Sequence, residues 1–281
     1  MKISIRPLSD TLGGEVIGLD PREPLDAAAV GTLLAAWHEH LVLLIRGHEM
    51  TTDQQLAFAT HFGTLAERPK PLEERPEGPD SDPRVILISN IKENGRHIGS
   101  LPYGDMWFHH DTAQIAEPHR ATMLHALELP STGGNTLFAN MYLAYDGLPE
   151  KIKTRLDRVL ALQAFDYTQT AKVDPWQDLS GIQHHAHPAA ITHPATGRKA
   201  LYVNRLMTVR LEGMDRAESD DLLEVLFEHA ERPEIVYEHV WQKGDLLIWD
   251  NRCSTHARTD YPPAERRLLR RVSVLGERPQ A

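Results

Sequence analysis

The residue types best suited to chemistry lie in one short segment and at one distant position. The segment 107–111, with sequence WFHHD, places His109 two residues before Asp111, and His256 follows much later in the chain. Two imidazoles and one carboxylate are the ligand set of non-haem Fe(II) oxygenases, in which the open face of the metal receives substrate and O₂. These three residues are therefore the candidate metal ligands and catalytic residues.

Strand geometry predicts that His109 and Asp111 reach one ion, because residues two apart on a strand project from the same face. His110 would point the other way, and we interpret it as a supporting or core histidine. A His-x-Asp triplet alone is more often a polar strand end, and a histidine such as His256 alone is more often structural. The hypothesis depends on the three residues meeting.

The arginines near the C-terminal end are spaced to suit an anion. On a strand, Arg267 and Arg271 share one face, whereas Arg266 and Arg270 share the other. Guanidinium groups match the oxygens of carboxylate, sulfonate and phosphate groups, and burying two of them without an anion is costly. The alternative is a solvated basic edge strand that protects against aggregation.

Bulk composition opposes several classes of protein. The 281 residues include 30 Lys and Arg against 40 Asp and Glu, which gives a net charge of −10. This acidic balance opposes binding to nucleic acid or to a membrane surface. The single cysteine, Cys253, allows no disulfide within the chain, and no apolar run approaches the roughly 18 residues of a membrane span. We therefore expect a cytoplasmic protein.

Apolar periodicity predicts short strands with helices between them. After an opening hairpin at 8–20, helices are predicted at 26–40, 52–63 (opened by a capping box at 52–55), 140–146, 149–159 and 218–230, and strands at 41–45, 85–88, 121–127, 136–139, 189–192, 201–204, 235–240, 245–249 and 268–275. This pattern favours one α+β domain over 1–281 with a mainly β core, a sandwich or jelly-roll barrel with flanking helices. The polar segments 92–105 and 166–181 are candidate lid loops.

Longer motifs resemble a known family. They are the WFHHD segment, LPSTGGNTLFA at 129–139, HPATGRKALYVN at 193–204, WDNR at 249–252 followed by a histidine, and RR at 266–267 followed by an arginine. Together they resemble the taurine / 2,4-D dioxygenase family of Fe(II)- and 2-oxoglutarate-dependent enzymes along nearly the whole chain. The resemblance implies a double-stranded β-helix and the use of Fe(II), 2-oxoglutarate and O₂.

The resemblance also implies residue roles. It places Fe(II) on His109, Asp111 and His256. It places the distal carboxylate of 2-oxoglutarate on Arg267, with help from Thr136. The implied reaction hydroxylates a substrate while 2-oxoglutarate is converted to succinate and CO₂.

The implied substrate is a small organic anion: a sulfonate, a sulfate ester, an aryloxyalkanoate or another carboxylate. Its anionic group is expected near Arg271, and Arg68 and Asn204 are further candidate contacts. Two departures from the family pattern stand out: Phe108 is an extra residue before the first ligand, and Arg68 lies near the position of a sulfonate-binding histidine in the taurine-oxidising members. Relatives are commonly dimers or tetramers, so we expect a homo-oligomer.

Two other functions fit a similar barrel. A metal-dependent hydrolase would use the metal to activate water, and Arg267 would then have no co-substrate to bind. A non-catalytic anion-binding protein would bind ligand without releasing succinate.

Overall fold

Two facing β-sheets form the centre of the protein in the computed structural model, which describes residues 3–68, 76, 81–100, 106–166, 173–174, 176 and 178–281. The strands in these segments are β1 (Ser4–Pro7), β2 (Gly14–Ile17), β3 (Val42–Ile45), β4 (Val85–Ser89), β5 (Lys92–Glu93), β6 (Arg96–His97), β7 (Met106–His109), β8 (Ala121–Glu128), β9 (Thr136–Asn140), β10 (Leu160–Phe165), β11 (Gln183–Pro188), β12 (Ala190–Thr192), β13 (Lys199–Leu201), β14 (Thr208–Leu211), β15 (Val236–His239), β16 (Leu246–Asp250), β17 (Ser254–Arg258) and β18 (Leu268–Val274). The helices are α1 (Ala27–His40), α2 (Thr52–Ala59), α3 (Met141–Asp146), α4 (Glu150–Leu156) and α5 (Arg216–Glu231), with 3₁₀ turns at Thr60–Phe62 and Pro233–Ile235.

The two sheets enclose an apolar interior. The larger sheet has the order β1-β2-β3-β16-β8-β18-β4, and the smaller sheet has the order β15-β9-β17-β7. Leu124, Trp249 and Leu269 from the larger sheet pack with Phe138 from the smaller sheet. This is the jelly-roll architecture expected from the sequence, with strands as the main element and helices outside them.

Strand β3 shows why the sequence at the centre of the larger sheet is a continuous run of apolar residues. Val42 and Leu44 face the interior between the sheets, whereas Leu43 and Ile45 pack on the opposite face with Trp37 of α1. A strand covered on both faces needs apolar residues at every position. The predicted buried strand at 41–45 is therefore confirmed.

The helix starts follow capping chemistry. The Asp26 side chain accepts a hydrogen bond from the backbone of Ala29 at the start of α1. The capping box of α2 uses Thr51 and Gln54, so the prediction that it spans 52–55 was wrong by one residue. Among the described residues, every helix falls short of the length or the apolar character that crossing a lipid bilayer requires.

A further sheet was missed by the sequence analysis. It has the order β11-β10-β14 and packs outside the two central sheets. Strand β11 has the sequence QHHAHP, which lacks the alternation of apolar and polar residues that marks a strand.

The two candidate lid segments are partly described. Strands β5 and β6 pair as a small hairpin within 92–105, and residues 101–105 lie outside the described residues. In 166–181, Val173 and Leu179 are buried, and residues 167–172, 175 and 177 lie outside the described residues. The lid prediction therefore stays a prediction.

Candidate metal centre

Three buried side chains meet between the two sheets. Nε2 of His109 lies 3.8 Å from Oδ1 of Asp111, and Nε2 of His256 lies 3.9 Å from the same oxygen. One ligand atom of each residue lies within 4.8 Å of those of the other two. This spacing lets the three residues bind one metal ion on one side and leaves its opposite side open.

A β-bulge keeps the first histidine in register with the second. His109 of β7 pairs with His256 of β17, but the next pair joins Met106 to Arg258. Between these pairs β7 contains two residues, Trp107 and Phe108, whereas β17 contains one. The bulge accommodates the extra residue, which would otherwise turn the histidine to the other face of the sheet.

Asp111 reaches the centre from a turn. Strand β7 ends at His109, so the prediction that His109 and Asp111 share one strand face was wrong. The two side chains converge all the same. Thr112 follows with a φ of 57°, and its hydroxyl accepts a hydrogen bond from the backbone of His119. This turn directs the carboxylate back towards the histidine.

The protonation states of the three residues suit a metal. Burial lowers the pKa of His109 and of His256, which keeps both imidazoles neutral. Burial alone would raise the pKa of Asp111, but the positive charge of Arg271, the two imidazoles and a hydrogen bond from Thr122 hold it below its usual range. Neutral imidazole and ionised carboxylate are the forms that bind metal ions.

Hydrogen bonds orient the ligand atoms. Nδ1 of His109 donates to the carbonyl oxygen of Trp107 at 2.9 Å, so the lone pair on Nε2 faces the centre. Thr122 Oγ1 donates to Oδ2 of Asp111 at 2.6 Å and accepts from Nδ2 of Asn251 at 2.9 Å. Asn251 Oδ1 in turn accepts from Nε1 of Trp249. Sequence analysis missed the role of Thr122, since nothing in its local sequence signals that contact.

We expect Thr122→Val to weaken metal binding about 10- to 100-fold, the usual effect of losing a partner that orients a metal ligand. Valine preserves the shape of threonine but cannot donate to Asp111. Calorimetric titration with Mn(II) measures the change. Thr255→Val is the matched control, because Thr255 is also buried, next to His256, and its hydroxyl donates to the sulfur of Met141. Equal affinity in wild type and Thr122→Val would contradict the role given to this hydroxyl.

A cavity opens beside the three candidate ligands. Its apolar lining includes Ile88, Met106, Leu124 and Trp249. Its polar lining consists of His109, Thr136, His256, Arg258, Arg267 and Arg271. Three arginines at one cavity make it suitable for an anion.

Arg267 is fixed deep in this cavity. It is 2% exposed, its Nη2 donates to the carbonyl oxygen of Gly134 at 3.0 Å, and its Nε has no hydrogen-bond partner among the described residues. A side chain at Gly134, whose φ is 64°, would lie 2.8 Å from that Nε. The glycine thus makes room for the guanidinium group, whose buried, unpaired N–H fits an anionic oxygen.

Thr136 and Arg271 line other parts of the cavity. Thr136 Oγ1 accepts from Nε1 of Trp241 at 3.0 Å, which leaves its own hydrogen available to a ligand. Arg271 Nη2 lies 3.0 Å from Oδ1 of Asp111, and its Nε donates to Ser273. Among the described contacts, Arg271 therefore bonds to a candidate metal ligand, whereas Arg267 does not.

The structure does not bring Arg68 and Asn204 to this cavity. Arg68 Nη2 donates to Ser100 Oγ at 2.9 Å. Asn204 is 1% exposed, and its side chain contacts His110 and Gln163 in the interior. Neither is among the described residues that line the cavity. The sequence motifs around Arg68 and Asn204 do not determine in which direction these two side chains point.

A second buried cluster, His193, Asp250 and Cys253, also has ligand atoms within 4.8 Å of one another. Both oxygens of Asp250 accept from Arg252, at 2.9 and 2.7 Å, and Oδ2 also accepts from Nε2 of His193. Nδ1 of His193 accepts from backbone amides of the next turn, so its Nε2 carries the proton. These atoms are already bonded, and the cluster fixes the turn that leads to β17.

We expect Asp250→Asn to lower the free energy of unfolding by about 3–5 kcal/mol, because it leaves the Arg252 charge without its buried partner. The metal affinity of the folded variant should stay at the wild-type value. Urea denaturation followed by circular dichroism measures the first effect and calorimetry with Mn(II) the second. A loss below 1 kcal/mol would indicate that solvent screens this pair, contrary to its burial.

Comparison with known proteins agrees with the fold. The family model described as "Taurine catabolism dioxygenase TauD, TfdA family" matches residues 4–273. The chain is 34% identical to pentalenolactone F synthase of Streptomyces avermitilis, over 95% of this chain and 92% of that protein. It is 31% identical to an (S)-phenoxypropionate/alpha-ketoglutarate-dioxygenase of Sphingobium herbicidovorans, over 97% of this chain and 95% of the relative. The crystal structure of AAD-2 in complex with Mn(II) and N-oxalylglycine superposes with a TM-score of 0.82 at 30% identity and covers 100% of both chains.

The fold, the His–Asp–His cluster and these relatives define a 2-oxoglutarate-dependent dioxygenase, an oxidoreductase that uses Fe(II), 2-oxoglutarate and O₂. The chain belongs to the TauD/TfdA family. The resemblance recognised from its motifs is thereby confirmed.

Proposed function

We propose that this protein hydroxylates a small organic anion in a reaction that converts 2-oxoglutarate to succinate and CO₂. The observation that carries the proposal is the meeting of His109, Asp111 and His256 beside a cavity lined by arginines. The candidate substrate classes are sulfonates, sulfate esters, aryloxyalkanoates and other carboxylates. Relatives named for sulfate ester and 2,4-dichlorophenoxyacetate oxidation support this range.

Each proposed residue has a distinct task. His109, Asp111 and His256 would bind Fe(II), which together with 2-oxoglutarate and O₂ supplies the oxidising chemistry. Thr136 and Arg267 would bind the distal carboxylate of 2-oxoglutarate. The binding of N-oxalylglycine, in which an NH group replaces a methylene of 2-oxoglutarate, by the related AAD-2 supports such a subsite.

Arg271 would bind the anionic group of the prime substrate. Its guanidinium lies 3.0 Å from Asp111, so an anion that it binds has its neighbouring carbon close to the metal. Positioning of this kind contributes much of an enzyme's rate, and a displacement of about 1 Å can lower the rate about a hundredfold. Arg68 and Asn204 contribute to substrate binding only if the parts of the chain around them rearrange, because both side chains have other partners.

The test is succinate release by protein loaded with Fe(II) without oxygen and then supplied with 2-oxoglutarate, O₂ and one candidate anion at a time. Panels of sulfonates, sulfate esters and aryloxyalkanoates should give one class that raises succinate release above the background, with one hydroxylated product per succinate. Binding of 2-oxoglutarate without succinate from any panel member would favour a non-catalytic anion-binding protein. Substrate cleavage that needs no 2-oxoglutarate would favour a metal-dependent hydrolase.

Several predictions made from the sequence remain part of this proposal. We propose one domain over 1–281, with 92–105 and 166–181 as the segments that close over the site and exclude water. Cytoplasmic location and assembly as a dimer or tetramer stay predictions, as does the expectation that neither nucleic acid nor membrane is a partner.

A further inference from the structure

His110 lies between two of the candidate metal ligands along the chain, but it is not among the described residues that line the cavity. Its ring is fully buried and packs on the ring of Tyr202, with 4.3 Å between the ring centroids. Nδ2 of Asn204 donates to its Nδ1 at 3.3 Å, and its Nε2 has no hydrogen-bond partner among the described residues. Asn204 is therefore the polar contact that fixes this buried ring.

The amide group of Asn204 has a single orientation, because both of its polar atoms have partners. Oδ1 accepts from the backbone amide of Met207 at 2.7 Å, so the nitrogen Nδ2 faces His110. Nδ2 also donates to Oε1 of Gln163 at 3.3 Å, and Oγ1 of Thr208 donates to the same oxygen at 2.9 Å. The backbone amide of Asn204 donates in turn to Thr208 Oγ1 at 2.8 Å, which closes the set of hydrogen bonds.

Four side chains, each at most 1% exposed, form the Asn204 network: His110, Gln163, Asn204 and Thr208. Gln163 lies on β10 and Thr208 on β14, so the network joins the outer sheet β11-β10-β14 to the segment that carries two candidate ligands. Buried polar side chains are unfavourable unless they are hydrogen-bonded, whereas a hydrogen-bonded set of them favours one arrangement over others. An apolar residue at position 110 would fill space without fixing a direction.

The loop between β13 and β14 holds the metal segment at a second point. The backbone amide of Leu206 donates to the carbonyl oxygen of Phe108 at 3.3 Å. His109 therefore lies between one residue that is held through its carbonyl group and one that is held through its side chain. Asp111 follows directly, so a rotation of the backbone at His110 would move both neighbouring ligands.

We propose that His110 and Asn204 are positioning residues for the metal centre. Their hydrogen bond fixes the backbone between the two neighbouring ligands, His109 and Asp111, and thereby the directions of both side chains. This inference rests on the proposed function, since it takes those two residues to bind the metal. Ligands that are already held in place lose less freedom when the metal binds, so the Asn204 network should raise metal affinity.

The test compares two substitutions of His110 that keep different features. His110→Phe keeps a ring on Tyr202 but cannot accept from Asn204, whereas His110→Asn loses the ring and places an amide oxygen near the position of Nδ1. We expect His110→Phe to weaken Mn(II) binding about tenfold, the lower end of the usual effect of losing a residue that orients metal ligands. It should also alter the visible absorption spectrum of bound Co(II), which reports on ligand geometry. His110→Asn should bind Mn(II) within about threefold of wild type and keep the wild-type spectrum.

Ser219→Ala is the control for general destabilisation. The buried hydroxyl of Ser219 accepts from the backbone amide of Leu211 on β14, so its loss disturbs the same outer sheet outside the Asn204 network. This variant should lower the thermal midpoint yet bind Mn(II) like wild type.

Three results would overturn the inference. They are wild-type affinity and spectrum in His110→Phe, equal weakening in His110→Phe and His110→Asn, and equal weakening in His110→Phe and Ser219→Ala. The second result would assign the effect to ring packing and the third to stability. If wild type itself binds no Mn(II), the proposed function fails together with this inference.

If His110→Phe does not fold, Thr208 carries the test from the other end of the Asn204 network. Thr208→Val removes the hydroxyl that bonds to Gln163 and to the backbone of Asn204, whereas Thr208→Ser keeps it. Thr208 is not among the described residues that line the cavity, so weaker Mn(II) binding in the valine variant, with recovery in the serine variant, supports the inference. Wild-type Mn(II) affinity in both variants would overturn it.

Discussion

Asp111→Asn is expected to abolish 2-oxoglutarate-dependent succinate release and to weaken Mn(II) or Fe(II) binding at least about a hundredfold, since even residues that only orient a metal ligand contribute 10- to 100-fold. Asparagine keeps the shape of the side chain but removes the negative charge that attracts the cation. In the folded protein the positive charge of Arg271 and a hydrogen bond from Thr122 favour the ionised form of Asp111. Calorimetry measures the affinity, and a coupled assay measures succinate.

Asp245→Asn is the matched control for this experiment. Asp245 is also fully buried and also pairs with a histidine and an arginine, His239 and Arg46, at 3.1 and 3.3 Å. It is not among the described residues that line the cavity, so its variant should be less stable yet bind metal like wild type. If both variants lost metal binding equally, general destabilisation rather than ligand loss would explain the result. Wild-type metal affinity in Asp111→Asn would remove the carboxylate from the proposed ligand set.

Arg267→Gln is expected to weaken 2-oxoglutarate binding by about 2–5 kcal/mol, the usual cost of truncating one partner of a buried charge pair. That range corresponds to roughly 30- to several-thousand-fold in affinity. Metal binding should stay unchanged, because no contact joins Arg267 to the candidate ligands among the described residues. Titration of Mn(II)-loaded protein with N-oxalylglycine measures the loss without turnover.

The same variant separates the competing functions. A metal-dependent hydrolase gives Arg267 no carboxylate to bind, so its activity would change little. The stability of the ligand-free protein gives a second measurement: Arg267 is buried with an unpaired Nε, and its removal should leave the thermal midpoint unchanged or raise it. A large drop in the midpoint would mean that Arg267 stabilises the fold rather than the co-substrate complex.

Some parts of the site and the fold could be predicted from the sequence because they depend on local geometry. The four-residue spacing of Arg267 and Arg271 places both side chains at the same cavity. Asp111, in contrast, meets His109 through a turn and not through the strand alternation that the sequence predicted. The buried strand at 41–45 was readable because a strand covered on both faces must be apolar throughout. The family motifs then related these pieces to one another.

Other parts depended on side-chain directions that no local pattern gives. Asn204 lies in a recognisable motif, yet its amide contacts His110 and Gln163 rather than the cavity. Arg258 carries no motif, yet it lies beside Thr136 because β17 pairs with β9. Strand β11 lacks the apolar alternation that would have revealed it.

By itself, the sequence determined the class of enzyme, the jelly-roll core and the residues that could bind a metal, since these follow from residue type, period and motif. The tertiary structure alone decided that His256, 147 residues after His109, meets it across paired strands. It also decided that a bulge at Trp107 and Phe108 keeps that pairing in register. The physical reason is that sheet pairing brings distant segments together through backbone hydrogen bonds. Every residue can accept such a bond and every residue except proline can donate one, so the pairing leaves little trace in residue type.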